Sequence, residues 1–243
     1  MSLLEARKLA KSFGGLTVIA DISFTLKGGE TLGIIGPNGS GKTTLFNMIS
    51  GFLKPDRGTL TFLGEDITNR NASSVCQKGI ARTFQIVRPF LQLTTLENVA
   101  AGRAYGSEPA RRLKEAVKEA AEILDLVGLG NKIKVPAGRL TLIDRKRLEI
   151  ARALATRPKL LLLDEVFAGL NHTEVDEALR LIATIKARGI TLTIVEHVIK
   201  VILGVSDRVI VIGSGGKIFE GLPREAIEDK KVCAAYLGEN FCA

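Results

Sequence analysis

The sequence predicts an α/β protein: a parallel sheet covered by helices, with an antiparallel β part near the N-terminus and an inserted helical subdomain. Three observations support this. Short strand-like runs separated by glycine turns open the chain, the segment from about residue 88 to 150 is helical in pattern, and strands alternate with helices after it. We expect one domain over residues 1–243, with the subdomain at about 88–150 inserted in the α/β core.

The N-terminal elements are predicted from β-type runs and their turns. The runs are LLEARKLA, LTVIADISFTL and ETLGIIG, separated by glycine pairs at 14–15 and 28–29. KTTLFNMISGF predicts a helix that ends near Gly51, and GTLTFLGEDI predicts part of a hairpin.

The later elements are predicted from hydrophobic periodicity. ARRLKEAVKEAAEILDLVGLG has the pattern of a long amphipathic helix ending in glycines. The following stretches alternate between strand and helix: KLLLLDE, TEVDEALRLIATIKARG, TLTIVE, VIKVILGVS and RVIVI. Such alternation favours parallel strands connected by helices.

Composition and charge exclude several classes of protein. The apolar runs are much shorter than the roughly 20 residues of a membrane span, and the N-terminus lacks a secretory pattern, so we expect a cytoplasmic location. The three cysteines form no CxxC pair, which argues against a disulfide framework. The net charge of +8 favours anionic partners, but scattered charges with few aromatic residues argue against nucleic acid.

A glycine-rich loop lies between the run TLGII and a predicted helix. Its sequence GPNGSGKTT fits G-x-x-x-x-G-K-[ST] in the strand–loop–helix context of a phosphate-binding loop, which predicts a P-loop NTPase. Glycines let the backbone N–H groups curl around phosphates, and the helix N-terminus adds its positive dipole end. We expect Lys42 to bridge the β- and γ-phosphates and Thr43 to hold Mg²⁺; an exposed glycine turn is the alternative. The predicted phosphate-binding residues are Gly36, Pro37, Asn38, Gly39, Ser40, Gly41, Lys42, Thr43 and Thr44.

Two acidic residues follow the apolar strand LLLL. Ligands of open α/β sheets sit at the carboxyl ends of the strands, where Asp164 and Glu165 emerge. We expect Asp164 to support Mg²⁺ and Glu165 to polarise the water that attacks the γ-phosphate. An acidic turn is the alternative for this pair. A GTPase is disfavoured, because the nearest match to its guanine-binding N-K-x-D pattern, NKIK at 131–134, lacks the acid.

Together with these motifs, further stretches resemble the ATP-binding-cassette (ABC) ATPases over essentially the whole chain. The resemblance implies a RecA-like core, ATP and Mg²⁺ as cofactors, and a loop AGLN that crosses to a second subunit. KSFGG puts Phe13 where the family stacks an aromatic side chain on adenine. ARTFQ puts Gln85 at the glutamine that contacts Mg²⁺ and water, and TIVEH puts His197 at the histidine that contacts the γ-phosphate. The residues alone leave open a core Phe13, a surface Gln85 and a structural His197.

Within that family the chain is similar to the ATP-binding subunits of branched-chain amino acid importers. The similar stretches include LAKSFGGL, GIARTFQIVRPFLQLTTLENV and RLEIARALATRPKLLLLDE. The resemblance implies three kinds of partner: transmembrane permease subunits, a second ATPase subunit (the same chain or a paralogue) and, indirectly, a periplasmic or extracellular solute-binding protein. It also implies a peripheral position on the cytoplasmic face of the cell membrane.

The segment Leu140 to Asp144 departs from the family's pattern. Where the family carries Leu-Ser-Gly-Gly-Gln, this chain has Leu-Thr-Leu-Ile-Asp and no glycine. In the family, the serine hydroxyl and a glycine N–H reach the γ-phosphate held by the other subunit, so the resemblance implies that this segment still faces ATP and that Thr141 binds it. Thr141 supplies the hydroxyl and a helix cap, whereas Ile143 adds bulk and Asp144 adds a charge that Arg145 to Arg147 could offset. The alternatives left open are a helix cap without a ligand, a catalytically weak regulatory subunit and an ABC ATPase outside transport.

Overall fold

The computed structural model describes residues 2–85, 87–167, 169, 171–196 and 199–237. The strands are β1 (Ser2–Phe13), β2 (Leu16–Lys27), β3 (Thr31–Ile35), β4 (Arg57–Phe62), β5 (Glu65–Asp66), β6 (Ile80–Arg82), β7 (Leu160–Asp164), β8 (Thr191–Val195), β9 (Arg208–Gly213) and β10 (Gly216–Gly221). The helices are α1 (Lys42–Ile49), α2 (Ala72–Lys78), α3 (Thr95–Arg103), α4 (Leu113–Leu126), α5 (Leu142–Ala155), α6 (His172–Ala187), α7 (Ile199–Val205), α8 (Pro223–Glu228) and α9 (Lys230–Leu237). Short 3-10 turns cover Gly130–Lys132 and Ala137–Arg139.

The chain forms two compact units. The first unit contains Met1–Ala72 and Phe167–Ala243, and the second contains Ser73–Val166. The second unit thus holds the whole of the segment expected to be a helical subdomain, together with β6, β7 and all of α2 except its first residue. The boundaries 88–150 expected for the subdomain stay a prediction.

The sheet of the first unit combines an antiparallel and a parallel part. Its strand order is β5-β4-β1-β2-β10-β9-β3-β8. β1 pairs antiparallel with β2 and β4, as the glycine-separated runs predict, whereas β3 pairs parallel with both β8 and β9. β3 and β8 are apolar along most of their length and buried, which is typical of strands covered on both faces.

The second unit packs α3, α4 and α5 against one another. The buried residues of α4 are Ala116, Ala120 and Leu124. Their regular spacing places them on the same face of the helix. β6 and β7 form a parallel pair, and α5 contacts both strands. No helix within the described ranges is long and apolar enough to span a membrane.

Candidate functional site

The loop between β3 and α1 contains two glycines at which any side chain would collide with neighbouring atoms. At Gly36 a Cβ atom would lie 2.2 Å from the carbonyl oxygen of Ile212. At Gly41, which has φ 101°, it would lie 2.6 Å from Ile19 Cδ1. Only glycine fits both positions, so the loop can wrap closely around a small anionic group.

Lys42 opens α1 and is buried, with 6% of its surface exposed. Its Nζ donates to the carbonyl oxygens of Gly36 and Pro37, at 2.8 and 2.9 Å. The ammonium group is therefore held inside the loop by the loop's own backbone. Phosphate oxygens are stronger acceptors than these carbonyls, so the same group is poised to bind them.

The residues around Lys42 offer further donors. Thr43 is exposed in the first turn of α1. Ser40 Oγ is buried and has no hydrogen-bond partner among the described residues. A bound phosphate would satisfy such a hydroxyl, and the N-terminus of α1 would add its positive dipole end. The loop therefore fits the triphosphate of ATP.

The second unit positions the two acidic residues through an in-register strand pair. Arg82 of β6 lies beside Leu162 of β7, and the backbone N–H of Thr83 donates to the carbonyl oxygen of Leu162 at 2.9 Å. Gln85 follows Arg82 at the same spacing in the sequence as Glu165 follows Leu162. The parallel register thus brings Gln85 and Glu165 to the same end of the two strands.

Gln85 and Glu165 are in direct contact. Gln85 Nε2 donates to Glu165 Oε2 at 2.7 Å. Glu165 has φ 49°, a left-handed conformation that costs energy for a residue with a side chain and often marks a functional site. Strand register and this turn together fix the direction in which the carboxylate is presented.

Asp164 has a partner that sequence reasoning missed. Its carboxylate accepts a hydrogen bond from Arg82 Nη2 at 2.7 Å, and its backbone N–H donates to Thr83 Oγ1 at 3.1 Å. The only sequence signal for this contact is that Arg82 ends the strand directly before Gln85. The carboxylate that is predicted to support Mg²⁺ is thus paired with a cation of its own chain.

Thr141 caps α5, as predicted. Its Oγ1 accepts from the backbone N–H of Asp144 at 3.2 Å and donates to Asp144 Oδ2 at 2.8 Å. Asp144 also accepts from Lys132 Nζ at 2.6 Å. Burial raises the pKa of Asp144, but the hydrogen bonds from Lys132 and Thr141 outweigh it, so the pKa is lowered overall.

A cation that the sequence did not suggest contacts Asp144: Lys132, at the end of a 3-10 turn. Of the residues expected to offset the charge, Arg145 donates from Nη2 to the carbonyl oxygen of Gly138 at 2.7 Å. The expectation for Arg145 to Arg147 stays a prediction. Periodicity gives no sign of a contact made between a turn and the start of a helix.

Phe13 is the residue predicted to stack on adenine. Phe13 ends β1 with half of its surface exposed, so its ring is accessible for stacking; Lys11 Nζ lies 5.7 Å from the ring centroid.

His197, predicted to contact the γ-phosphate, lies outside the described residues. The residue before it, Glu196, is buried and accepts a hydrogen bond from the backbone N–H of Phe167 at 2.7 Å. This hydrogen bond connects the backbone at Phe167, shortly after Asp164 and Glu165 in the sequence, to the residue that follows β8.

The predicted magnesium ligands are Thr43, Gln85 and Asp164. Across the described part of the chain, no group of three or more His, Cys, Asp or Glu side chains gathers as a metal site. One carboxylate plus neutral oxygens suits Mg²⁺, which is commonly held by few protein groups together with phosphates and water. Thr43 belongs to the first unit and the other two residues to the second. Their convergence on one Mg-ATP stays a prediction.

Known proteins match the chain closely in sequence. Residues 19–168 match the family described as "ABC transporter". The chain is 37% identical over 250 residues to the "High-affinity branched-chain amino acid transport ATP-binding protein BraF" of Pseudomonas aeruginosa, covering 98% of each chain. It is 35% identical over 243 residues to the "Lipopolysaccharide export system ATP-binding protein LptB" of Haemophilus influenzae, covering 99% of each.

Solved structures match it as well. The crystal structure of the ADP conformation of MJ1267, an ATP-binding cassette of an ABC transporter, is similar with a TM-score of 0.89 and 35% identity, over 98% of this chain and 100% of that one. A dimeric post-hydrolysis structure of the ATP-binding cassette MJ0796, bound to ADP and Pi, is similar with a TM-score of 0.82 and 26% identity, over 91% and 99%. These likenesses confirm the predicted fold class.

Proposed function

This chain belongs to the ABC transporter family of ATPases, and from that premise we propose that it is the ATP-binding subunit of an importer. It hydrolyses ATP to drive the uptake of branched-chain or related amino acids through a separate permease. The relatives named for branched-chain amino acid transport cover nearly the whole chain and support this solute class.

One observation carries the nucleotide-binding part of the proposal: the loop closed around Lys42. The ammonium group is buried and bonded to two carbonyl oxygens of the loop. Lys42 exchanges these acceptors for the β- and γ-phosphates of ATP. Thr43, Gln85 and Asp164 are the residues that would hold Mg²⁺, which would supply neutralisation of the phosphate charge.

Glu165 acts as the general base. Its carboxylate is presented at the strand end, where it accepts a hydrogen bond from Gln85, and in the proposed reaction it takes a proton from the attacking water. Gln85 has the proposed second task of positioning that water. His197 contacts the γ-phosphate, Phe13 stacks on adenine, and Thr141 belongs to the segment that faces the nucleotide of a second subunit.

The permease contact is proposed for an exposed apolar surface beside Gln85. Four large side chains of the second unit make up this surface, and they are 38–53% exposed: Phe84, Phe90, Leu91 and Leu93. Arg152 lies over the ring of Phe90 at 5.2 Å and holds that ring in place. Several large exposed apolar side chains close together in the sequence are consistent with a protein interface. The segment begins directly before Gln85, which contacts Glu165, so docking there is proposed to affect the catalytic acid.

The remaining partners follow from this role. Two ATPase subunits, either two copies or this chain and a paralogue, enclose the nucleotides, as the dimeric structure of MJ0796 supports. The subunit lies on the cytoplasmic face of the cell membrane, bound to its permease, and a solute-binding protein delivers the solute on the other side. Nucleic acid is not a partner.

Export is the second candidate, because the lipopolysaccharide-export protein LptB is as similar as several amino acid transport proteins. A catalytically weak regulatory subunit is the third. It is supported by the segment at Thr141, where the hydroxyl is already bonded to Asp144. An ABC ATPase outside transport would lack a membrane partner.

Two experiments test the proposal. Calorimetry with Mg-ATP should detect binding to the native chain and none to Lys42→Ala, whereas unchanged affinity would refute the assignment of the loop. Purification of the native chain from its own membranes should bring permease subunits with it. The neighbouring subunits then separate an importer from an exporter, and recovery without any membrane protein would refute transport.

A further inference from the structure

Three residues at the start of α5 meet at a single oxygen atom. Asp144 Oδ2 accepts from Lys132 Nζ at 2.6 Å and from Thr141 Oγ1 at 2.8 Å. Two donors on one oxygen bring the ammonium and hydroxyl groups side by side. Any ligand that approaches Thr141 therefore also approaches Lys132.

The bonding of Thr141 limits what it can offer a phosphate. A hydroxyl group has one proton to donate, and the proton of Thr141 goes to Asp144. Its oxygen meanwhile accepts the backbone N–H of Asp144. In this arrangement Thr141 presents lone pairs, which repel phosphate oxygens, rather than a donor.

Lys132, unlike Thr141, has hydrogen-bond donors to offer a phosphate. An ammonium group has three donors, and the contact with Asp144 uses one of them. The side chain of Lys132 is 37% exposed, whereas that of Asp144 is 9% exposed, so the cation covers the anion on the solvent side. An approaching anion meets positive charge first.

We propose that Lys132 is the phosphate-binding donor of this segment and that Asp144 positions it. The ligand is the γ-phosphate of a nucleotide held by a second copy of this chain, so the inference rests on the proposed function. Lys132 then takes over the task that a serine hydroxyl and a glycine N–H perform in the family's usual sequence.

A purely structural role makes a different prediction. If Lys132 only neutralised Asp144, removing both charges together would restore the segment. If Lys132 binds phosphate, the double variant Lys132→Met/Asp144→Asn stays defective. The double variant also leaves no uncompensated buried charge, so it separates a binding defect from a folding defect.

ATP-driven dimerisation is the measurement. In a Glu165→Gln background, which should prevent turnover, light scattering with Mg-ATP gives the dimer dissociation constant. We expect Lys132→Met, alone or with Asp144→Asn, to raise that constant about tenfold or more, the loss of one charge-assisted hydrogen bond. Lys132→Arg should retain most of the affinity. Lys134→Met, which removes an exposed cation two residues away, is the matched control and should have no effect.

The outcomes are distinguishable. Wild-type dimerisation in the double variant, or in Lys132→Met, overturns the inference. Absence of ATP-driven dimers in the Glu165→Gln parent also overturns it, but leaves the proposed ATPase standing if calorimetry shows that the chain binds Mg-ATP. Absence of that binding would refute the proposed function itself.

Discussion

Arg82 and Asp164 form an ion pair at the ends of two parallel strands. The guanidinium Nη2 lies 2.7 Å from the carboxylate Oδ2, and the two side chains are only 5% and 1% exposed. A charge at such a depth is costly unless it is compensated. The negative charge that Asp164 brings to the proposed metal site is therefore already compensated by Arg82.

We expect Arg82→Met to destabilise the protein by about 3–5 kcal/mol, because it removes the cation that is paired with a buried carboxylate. Urea unfolding measures this as a change in the free energy of unfolding. Asp164→Asn and the double variant complete a cycle in which the double variant should lose less than the sum of the single losses. Strict additivity would show that the two side chains do not interact.

Glu165→Gln should slow ATP hydrolysis about 100-fold or more, because an amide cannot accept the proton of the attacking water. The affinity for Mg-ATP should stay within about twofold, since the substitution preserves size. A phosphate-release assay measures turnover, and calorimetry measures affinity. Glu174→Gln removes a carboxylate from the capping box of α6, which is not among the predicted site residues, and serves as the control. Wild-type turnover in Glu165→Gln would exclude Glu165 as the base.

Local patterns predicted the elements of this fold well. The glycine pairs at 14–15 and 28–29 do separate β1, β2 and β3, and the run TEVDEALRLIATIKARG does lie largely in a helix, α6, which Asn171 and Glu174 cap. Both signals are short-range, since a turn needs glycine and a helix start needs a side-chain acceptor. The alternation of apolar runs predicted parallel strands, and β8 and β9 do pair parallel with β3, although no pairing partner was predicted.

Contacts between distant residues were harder to predict. Arg82 and Asp164 are far apart in the sequence, and Lys132 reaches Asp144 from a 3-10 turn. No periodicity encodes such pairs, because they depend on which strand lies beside which and on where a turn ends. The direction of the Thr141 hydroxyl is equally non-local, since Asp144 and Lys132 together determine it.

Leu91→Asp should uncouple the ATPase from its permease. Leu91 is 51% exposed on the apolar surface beside Gln85, and a buried charge at that interface would oppose docking. We expect basal hydrolysis by the isolated chain to stay within about twofold, whereas permease-stimulated hydrolysis falls about tenfold or more. Leu113→Asp changes a leucine that is 78% exposed at the start of α4, and it is the matched control. Equal stimulation of both variants would place the permease contact elsewhere.

Glu149 should make stability depend on pH in the direction opposite to that of most carboxylates. Burial raises the pKa of Glu149 above its ordinary value of 4.5, although Arg152 opposes the shift. Between the ordinary and the raised pKa the folded chain binds more protons than the unfolded chain, so this group destabilises the fold as pH rises. Glu149→Gln keeps an acceptor for Arg152 but does not ionise. Its stability relative to wild type should increase from pH 4 to pH 7 in urea unfolding, and parallel pH profiles would contradict the shift.

Ile143→Gly tests whether the altered segment before α5 limits hydrolysis. Ile143 is half-buried in the first turn of that helix, where the family's usual sequence has glycine and lets a phosphate approach the backbone. Removing the side chain should speed turnover, on the order of tenfold if it restores part of one phosphate contact. The change also weakens the helix by about 1 kcal/mol. Leu142→Gly restores the family's other glycine at the same helix cost, but the Leu142 side chain is exposed, so this variant should speed hydrolysis less than Ile143→Gly. If both variants turn over ATP at the wild-type rate, the side chain of Ile143 does not obstruct the nucleotide, and the segment functions without glycine.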